Sequence, residues 1–529
     1  MGDRTVIERT TEQTPKAYDR LLEVLGEVYD LSKSAAILSW DELVHMPKGG
    51  AENRASMKAT VERLVHARFT ADEVGGLLDE LAPFEEASPY ESDEASLIRV
   101  TRRNYHQYKK VPPDLVVAMS KAGSRGYHAW VEARTANDFE VYRPHLKTVT
   151  GLLVELTEAM GYGERRYDAL LDRRESGVPT VEMERLFDQI RADLVPLVQA
   201  VRERVDAVDD AVLHQPFDVD AQRAVAREGA RLIGFDFDRG RLDESVHPIS
   251  FSVSPADVRL TTRINPNFFG ACFFSCIHEA GHGLYFQGVP WRFRGTTLDG
   301  TPPQGANLTP VYGGTSTGLH ESQSRFWENV VCRSHEFWEH FLPRLRTYFP
   351  GQLDDVSVDS WYQAINRSSP GLVRVEADQL TYDLHIMLRF ELENGLLEGT
   401  LDVDDLQQAW DDLSEQYLGQ RPKDALQGVL QDIHWSRGGH GGFPSYTIGN
   451  VTSIQFLEAM KRDLPDFDDL VRAGTLEPIR AWMQGKLYDH GSKFQPLELM
   501  ERITGTPRFD AGPYLAYLRE KFGGLYGLR

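Results

Sequence analysis

Apolar side chains recur every three or four residues along most of the chain. In residues 17–31 this spacing links six apolar positions: Tyr18, Leu21, Leu22, Leu25, Val28 and Leu31. The repeat places side chains on one face of an α-helix. Residues 146–160 and 181–205 show the same repeat with polar positions between the apolar ones, as in helices with a solvated outer face. We therefore predict a mainly α-helical protein.

The alternation typical of β-strands is scarce. The best candidates are residues 250–253 and 258–263, which predict a small β-sheet that forms one wall of a cleft. Residues 291–318 are rich in Gly, Thr and Pro and have no sustained period, so we predict a long loop there. A loop of this length is either a lid over a site or an exposed insertion without a role.

The 529 residues contain neither an internal repeat nor a low-complexity linker. We therefore predict one large helical unit over residues 1–529, with a soft division between an N-terminal helical part, 1–215, and a catalytic part, 216–529. Apolar residues make up 41% and charged residues 26% of the chain. This composition is typical of a globular protein.

A formal net charge of −22 argues against nucleic acid as a partner, because binding to phosphate backbones needs a basic surface. No segment approaches the about twenty apolar residues of a membrane span, and the N-terminal residues lack the apolar core of a signal peptide. The three cysteines cannot form a disulfide framework. We predict a cytoplasmic protein without a membrane partner.

The strongest chemical signal is His278-Glu279-Ala280-Gly281-His282. On a helix, His278 and His282 share one face and can bind one metal ion. An H-E-x-x-H helix supplies two imidazole ligands for zinc and a glutamate that takes a proton from the metal-activated water. The alternative is a surface helix with solvated histidines, but apolar neighbours such as Phe273 and Phe274 favour burial. The motif predicts peptide hydrolysis.

A catalytic zinc needs a third protein ligand. The pattern with a third histidine six residues after His282 is excluded, since Gly288 stands there. Glu321 and Glu328 lie on a predicted helix from residue 320 to about 348 and share one face, so spacing does not decide between them. Cys272 and Cys276 lie close to the motif, but their spacing is helical, and we predict buried thiols rather than metal ligands.

Several blocks across nearly the whole chain resemble the carboxypeptidase Taq family of metallocarboxypeptidases. They are Ser39-Trp40-Asp41, Tyr167-Asp168-Ala169-Leu170-Leu171-Asp172, His247-Pro248, Asp257-Val258-Arg259-Leu260-Thr261, the zinc motif, His320-Glu321-Ser322-Gln323-Ser324, Val373-Arg374-Val375-Glu376-Ala377-Asp378, Thr381-Tyr382-Asp383-Leu384-His385 and Gly428-Val429-Leu430-Gln431-Asp432-Ile433-His434-Trp435. One departure is Ile249, which stands where relatives usually have Phe.

The resemblance implies a largely helical fold with a deep groove, a homodimer, and release of single residues from the C-termini of peptide substrates. We predict that this carboxypeptidase has a broad side-chain preference. It also selects Glu321 over Glu328 as the third ligand. We therefore predict one Zn²⁺ per subunit, held by His278, His282 and Glu321. Cobalt (Co²⁺) or manganese (Mn²⁺) could occupy the same ligands.

Four further residues are candidates for roles in the reaction. Glu279 is the predicted general base. His434 is predicted to stabilise the oxyanion, with Asp432 fixing its ring, or both residues orient the zinc ligands instead. Tyr446 is a lower-ranked donor to the same charge.

Arg374 is the first candidate to bind the substrate's C-terminal carboxylate. The alternative is an ion pair with Asp378 or Glu376. Arg259 and Arg263 rank behind Arg374, and Arg259 is expected to bond to Asp257. An endopeptidase or dipeptidase, or a non-catalytic peptide-binding protein, are the competing functions.

Overall fold

The computed structural model describes residues 14–300 and 314–528. In this part of the chain the α-helices are α1 (Lys16–Val44), α2 (Ala51–Phe69), α3 (Asp72–Glu80), α4 (Ala82–Ala87), α5 (Asp93–Lys109), α6 (Pro113–Ala136), α7 (Phe139–Met160), α8 (Arg166–Asp172), α9 (Thr180–Arg202), α10 (Val219–Ile233), α11 (Phe269–Gly288), α12 (Thr317–Arg325), α13 (His335–Tyr348), α14 (Val358–Ile365), α15 (Tyr382–Glu398), α16 (Leu406–Leu418), α17 (Pro444–Asp463), α18 (Phe467–Ala473), α19 (Glu477–Lys486), α20 (Pro496–Thr504) and α21 (Ala511–Tyr526). The predicted mainly helical fold is confirmed.

A three-stranded sheet lies beside α11. Its strands are β1 (Gly240–Glu244), β2 (Ser250–Ser254) and β3 (Asp257–Thr262), in the order β1-β3-β2. The central strand β3 is parallel to β1 and antiparallel to β2. Both predicted strands are confirmed. β1 was missed because its sequence, Gly-Arg-Leu-Asp-Glu, is polar and only partly buried.

The sheet is fixed between α1 and α11. On one side, Tyr29 and Lys33 of α1 donate hydrogen bonds to the carbonyl oxygens of Val253 (3.2 Å) and Ser252 (3.1 Å) in β2. On the other side, the Thr262 hydroxyl of β3 donates to the carbonyl oxygen of Cys272 in α11 at 3.0 Å. The sheet thus anchors the helix that carries the H-E-x-x-H motif.

Hydrophobic packing surrounds α11 on nearly every side. Its apolar residues Phe269, Phe273, Ile277 and Ala280 are fully buried, and Phe273 packs against Trp338 of α13 with ring centres 5.5 Å apart. One hydrophobic cluster extends from Ala17 of α1 to the last residue of α21. The soft division of the chain at residue 215 stays a prediction.

The helix predicted from residue 320 to about 348 is interrupted. α12 ends at Arg325 and is followed by a π-helical turn, Phe326–Val331, in which the backbone N–H of Cys332 bonds to the carbonyl oxygen of Trp327. A new helix, α13, then starts after Ser334, whose hydroxyl accepts from the N–H of Phe337. The sequence did not reveal this turn. A π-helical turn adds one residue to a helix and changes the direction of the side chains, but it leaves no mark on the amino-acid composition.

The predicted loop, residues 291–318, is irregular at its start and ends earlier than expected. It begins with two short 3₁₀ turns, Trp291–Phe293 and Thr297–Asp299, and α12 already starts at Thr317. The hydroxyl groups of Thr297 and Thr101 are 2.8 Å apart and hold this start to α5. The rest of the loop, residues 301–313, lies outside the described residues, so lid and passive insertion both stay predictions.

Two sequence-based expectations concern the character of individual segments. No helix in residues 14–300 and 314–528 is both long and apolar enough to cross a membrane. Cys272, Cys276 and Cys332 are free and buried, and burial raises the pKa of the Cys272 thiol to about 11. The prediction of buried thiols is confirmed.

Candidate metal centre and substrate groove

Helix α11 presents two histidines to one point. His278 and His282 are one helical turn apart, with ring centres separated by 5.1 Å. Glu279 follows His278 and is only 7% exposed. Burial raises the pKa of Glu279, while His278 and His282 act in the opposite direction. The carboxyl group therefore holds a proton more readily than an exposed glutamate does.

Helix α12 brings the third donor. Its N-cap residue is Ser316, whose hydroxyl accepts from the N–H of Leu319. The buried carboxylate of Glu175 accepts from the N–H of Gly318 and from the hydroxyl of Ser445, both at 2.6 Å. Glu175 thereby joins the first turns of α12 and α17.

Two glycines allow α12 to lie between α11 and α17. A Cβ atom on Gly281 of α11 would lie 2.7 Å from both the carbonyl oxygen of Gln323 and the Cα of Ser324. A Cβ atom on Gly449 of α17 would lie 2.5 Å from Cγ of Glu321. Real Cβ contacts are essentially never this short, so only glycine permits such close packing at these two positions.

The packing gathers His278, His282 and Glu321 into one cluster. One ligand atom from each residue lies within 4.8 Å of the other two. Glu321 Oε2 is 3.2 Å from Nε2 of His282, and Oε1 is 3.8 Å from Nε2 of His278. Two imidazole nitrogens and one carboxylate oxygen form a donor set that suits a catalytic zinc. The residues present therefore fit the divalent metal.

Glu328, the competing candidate, lies on the opposite side of His278. Its Oε2 accepts a hydrogen bond from Nδ1 of His278 at 3.0 Å, and its Oε1 accepts from Arg333 at 3.1 Å. Burial acts to raise the pKa of Glu328, but the hydrogen bond from His278 and the charge of Arg333 outweigh it and lower this pKa to about 2. Glu328 is therefore ionised and orients the His278 ring through Nδ1. The Nε2 atom of His278 is left facing Glu321.

His282 has a neutral partner instead. Its Nδ1 is 2.6 Å from Nδ1 of His320, and the His320 ring stacks on Tyr285 with centres 4.8 Å apart. Burial and the neighbouring His282 lower the pKa of His320 well below its usual value. A His282 that offers Nε2 to a metal carries its proton on Nδ1, so His282 donates and His320 accepts.

Glu321 is held by Arg325, four residues later on α12. Arg325 Nε donates to Glu321 Oε1 at 2.7 Å, and the guanidinium lies 4.5 Å from the ring centre of Tyr382. Burial acts to raise the pKa of Glu321, but Arg325 and His278 lower it strongly. Arg325 was not among the sequence-predicted residues, although its spacing from Glu321 places both side chains on one helix face.

Arg374 lies in a buried ion pair with a partner that was not predicted. Its Nε and Nη2 donate to one oxygen of Asp432, at 3.0 and 2.7 Å. Arg374 does form an ion pair, the alternative to binding a substrate carboxylate, but the expected partners, Asp378 and Glu376, were wrong. Asp378 instead accepts from Ser368 and caps the turn before α15. The true partner is 58 residues away, where local sequence gives no signal.

His434 lies beside this ion pair without a hydrogen bond to it. Its Nδ1 is 3.7 Å from Asp432, too far for a hydrogen bond, and its ring packs on Phe443 with centres 4.8 Å apart. The expectation that Asp432 fixes this ring is therefore wrong, because Arg374 and Arg389 occupy the carboxylate. Burial lowers the pKa of His434 to about 3, so the ring is neutral near pH 7 and retains one N–H donor.

Tyrosines connect the Arg374 region to the metal cluster. Arg374 Nη1 donates to the hydroxyl of Tyr382 at 3.1 Å, and Tyr382 is the ring over which Arg325 lies. Tyr446 of α17 packs edge-on against Tyr382, with centres 6.0 Å apart, and its ring centre is 5.7 Å from the Arg374 guanidinium. The structure therefore brings Arg374 and Tyr446 together and links them to Glu321 through Tyr382 and Arg325.

The two lower-ranked arginines differ in their surroundings. Arg259 binds Asp257 through two hydrogen bonds of 2.9 and 2.8 Å, as predicted. Arg263, at the end of β3, is exposed. Neither observation moves them ahead of Arg374.

Comparison with known protein families gives a match over nearly the whole chain. Residues 20–522 match the family described as carboxypeptidase Taq (M32) metallopeptidase. The chain belongs to this family. Its resemblance to the family, first inferred from scattered blocks, is confirmed over nearly the full length. The protein is therefore a metallocarboxypeptidase, a peptide hydrolase that uses a divalent metal ion.

Relatives with assigned names show the same extent of similarity. The chain is 39% identical to thermostable carboxypeptidase 1 of Thermus thermophilus, over 97% of this chain and 100% of the relative. It is 33% identical to carboxypeptidase 1 of Bacillus subtilis, over 95% and 97%. The crystal structure of the M32 carboxypeptidase from Deinococcus radiodurans superimposes with a TM-score of 0.91 at 37% identity, over 97% of this chain and 100% of that one.

Proposed function

We propose that this metallocarboxypeptidase holds one zinc ion at His278, His282 and Glu321 and releases single residues from the C-termini of peptides, with broad side-chain preference. The observation that carries the proposal is the convergence of three donor atoms within 4.8 Å, next to the buried Glu279, which directly follows His278 on α11. Cobalt or manganese also accept such ligands.

The proposed reaction uses Glu279 as general base. A divalent ion at this site would polarise the scissile carbonyl and lower the pKa of a water molecule. Glu279 takes the proton of the attacking water and passes it to the leaving amine. A carboxyl group whose pKa is raised by burial suits both steps, because it accepts a proton readily and still releases it.

Three further residues act on the substrate in this proposal. The neutral His434 donates its N–H to the oxygen that becomes negative during attack. Tyr446, whose ring centre is 5.7 Å from the Arg374 guanidinium, assists through its hydroxyl. Arg374 binds the C-terminal carboxylate. This contact distinguishes an exopeptidase from an endopeptidase, because only a terminal residue offers that carboxylate.

We further propose that residues 1–529 act as one helical catalytic unit, that two such chains form a homodimer, and that the enzyme works in the cytoplasm. The single hydrophobic cluster that spans the described residues supports the first point. Three buried, free thiols suit a reducing compartment. Sedimentation velocity would test the dimer.

The function is tested with one peptide in two forms, with a free and with an amidated C-terminus, followed over time by mass spectrometry. We expect stepwise loss of C-terminal residues from the free peptide alone, abolished by a chelator and restored by Zn²⁺. Cleavage of both peptides at internal bonds would indicate an endopeptidase. Cleavage of neither by the metal-loaded protein would indicate a non-catalytic peptide-binding protein.

A further inference from the structure

Asp432 is shared between two arginines. Arg374 binds its Oδ1, while Arg389 of α15 donates from Nε to its Oδ2 at 2.6 Å. Arg389 is fully buried, and its remaining nitrogens bond to the carbonyl oxygen of His385 (2.8 Å) and to Gln431 (3.1 Å). Its guanidinium also lies 4.6 Å from the ring centre of Trp410. Every part of Arg389 is thus held in place behind Asp432.

The charges in this cluster do not cancel. Arg374 and Asp432 alone would form a neutral pair with little attraction for a second carboxylate. His434, beside Asp432, is uncharged near pH 7 because burial lowers its pKa to about 3. Burial also lowers the pKa of His385 and of His247, which interact electrostatically with Asp432 and Arg374, so neither histidine adds a charge near pH 7. Arg389 therefore leaves the cluster with one net positive charge in a buried place, where an unbalanced charge is unfavourable unless an anion meets it.

Of the two arginines, Arg374 is the more accessible. Its guanidinium lies 5.4 Å from the ring centre of Phe443 and 5.7 Å from that of Tyr446, and 8% of its side chain is exposed, against none for Arg389. We propose that Arg389 is a positioning residue: it occupies one oxygen of Asp432 and supplies the net charge with which Arg374 binds the C-terminal carboxylate of a peptide. This inference rests on the proposed function.

The test separates KM from kcat on a peptide with a free C-terminus. Arg389→Met keeps most of the side-chain volume but makes the cluster neutral. We expect KM to rise about tenfold or more, the scale of a weakened hydrogen bond to a charged group, while kcat changes little. Arg389→Lys keeps the charge and should stay within about threefold of the wild-type KM.

A charge-restoring double variant distinguishes this role from a structural one. Arg389→Met combined with Asp432→Asn again leaves one net positive charge, on Arg374. We expect its KM to fall below that of Arg389→Met alone, whereas a purely structural role predicts a further loss. Arg191→Met, which breaks an ion pair between α9 and Glu391 of the same helix α15, serves as the control and should leave KM unchanged.

The outcomes are distinguishable from failure of the proposed function. C-terminal release by the wild-type enzyme together with an unchanged KM in Arg374→Met would overturn the carboxylate subsite and this inference, but not the peptidase activity. A raised KM in Arg374→Met and an unchanged KM in Arg389→Met would overturn the inference alone. If circular dichroism shows that Arg389→Met is unfolded, Arg389→Lys decides, because a tenfold higher KM with the charge retained contradicts charge supply.

Discussion

Replacing Gly281 by alanine should separate the two helices that form the metal centre. The added Cβ would lie 2.7 Å from the carbonyl oxygen of Gln323 and from Cα of Ser324. Both are backbone atoms of α12, so no side-chain rotation can relieve the contact. Reaching ordinary contact at 3.4 Å requires that α11 and α12 move apart by about 0.7 Å, which exceeds the roughly 0.5 Å tolerance of a functional constellation.

Two opposing terms set the effect on stability. Alanine favours the helix by about 1 kcal/mol over glycine, and overpacking costs about 1–3 kcal/mol. We therefore expect the metal-free variant to lose up to about 2 kcal/mol of unfolding free energy. The same change also moves Glu321 away from His278 and His282. We therefore expect zinc affinity to fall about tenfold or more.

Zinc affinity is measured by competition with a chromophoric chelator, and stability by urea unfolding of the metal-free protein. Gly151→Ala is the matched control, since it lies within helix α7 and its new Cβ would meet no atom within 4 Å. This control should be stabilised by about 0.5–1 kcal/mol with unchanged zinc affinity. Zinc binding by Gly281→Ala within threefold of wild type would refute the close-packing argument.

Three further predictions concern single carboxyl groups. Glu279→Gln should lower kcat by about 10²-fold or more, the contribution of a general base, with zinc still bound by metal analysis; full activity would eliminate Glu279 as the base. Glu328→Gln should weaken zinc binding about 10–100-fold because the hydrogen-bond partner of His278 loses its charge. The control is Asp383→Asn, which removes a buried carboxylate bonded to Thr447 and Tyr514 and should leave zinc affinity unchanged. Equal zinc affinities of these two variants in chelator competition would contradict the prediction. Burial raises the pKa of Glu393 from 4.5 to about 7, so between these pH values the folded state binds a proton that the unfolded state releases. The free energy of unfolding should therefore fall by up to about 3 kcal/mol as pH rises from about 4.5 through 7. Urea unfolding at pH 5 and pH 8 should show a smaller fall for Glu393→Gln than for the wild type.

Local patterns in the sequence determined the helical character of the chain, the strands β2 and β3, and the pair of histidines. All of these depend on residues close in sequence. Periodic apolar positions identify a helix face, and the four-residue spacing of His278 and His282 places them one turn apart once the helix forms. The burial of Cys272 and Cys276 also followed from their position on that apolar helix.

Tertiary structure decided which residues meet these local elements. Glu321 and Glu328 are equivalent by spacing, but the π-helical turn at Phe326–Val331 and the close approach at Gly281 place one at Nε2 and the other at Nδ1 of His278. The partner of Arg374 likewise depended on the fold, because Asp432 and Arg389 reach it from distant segments. Hydrophobic periodicity records which face of a helix is buried, whereas the partner across that face depends on how several helices pack together.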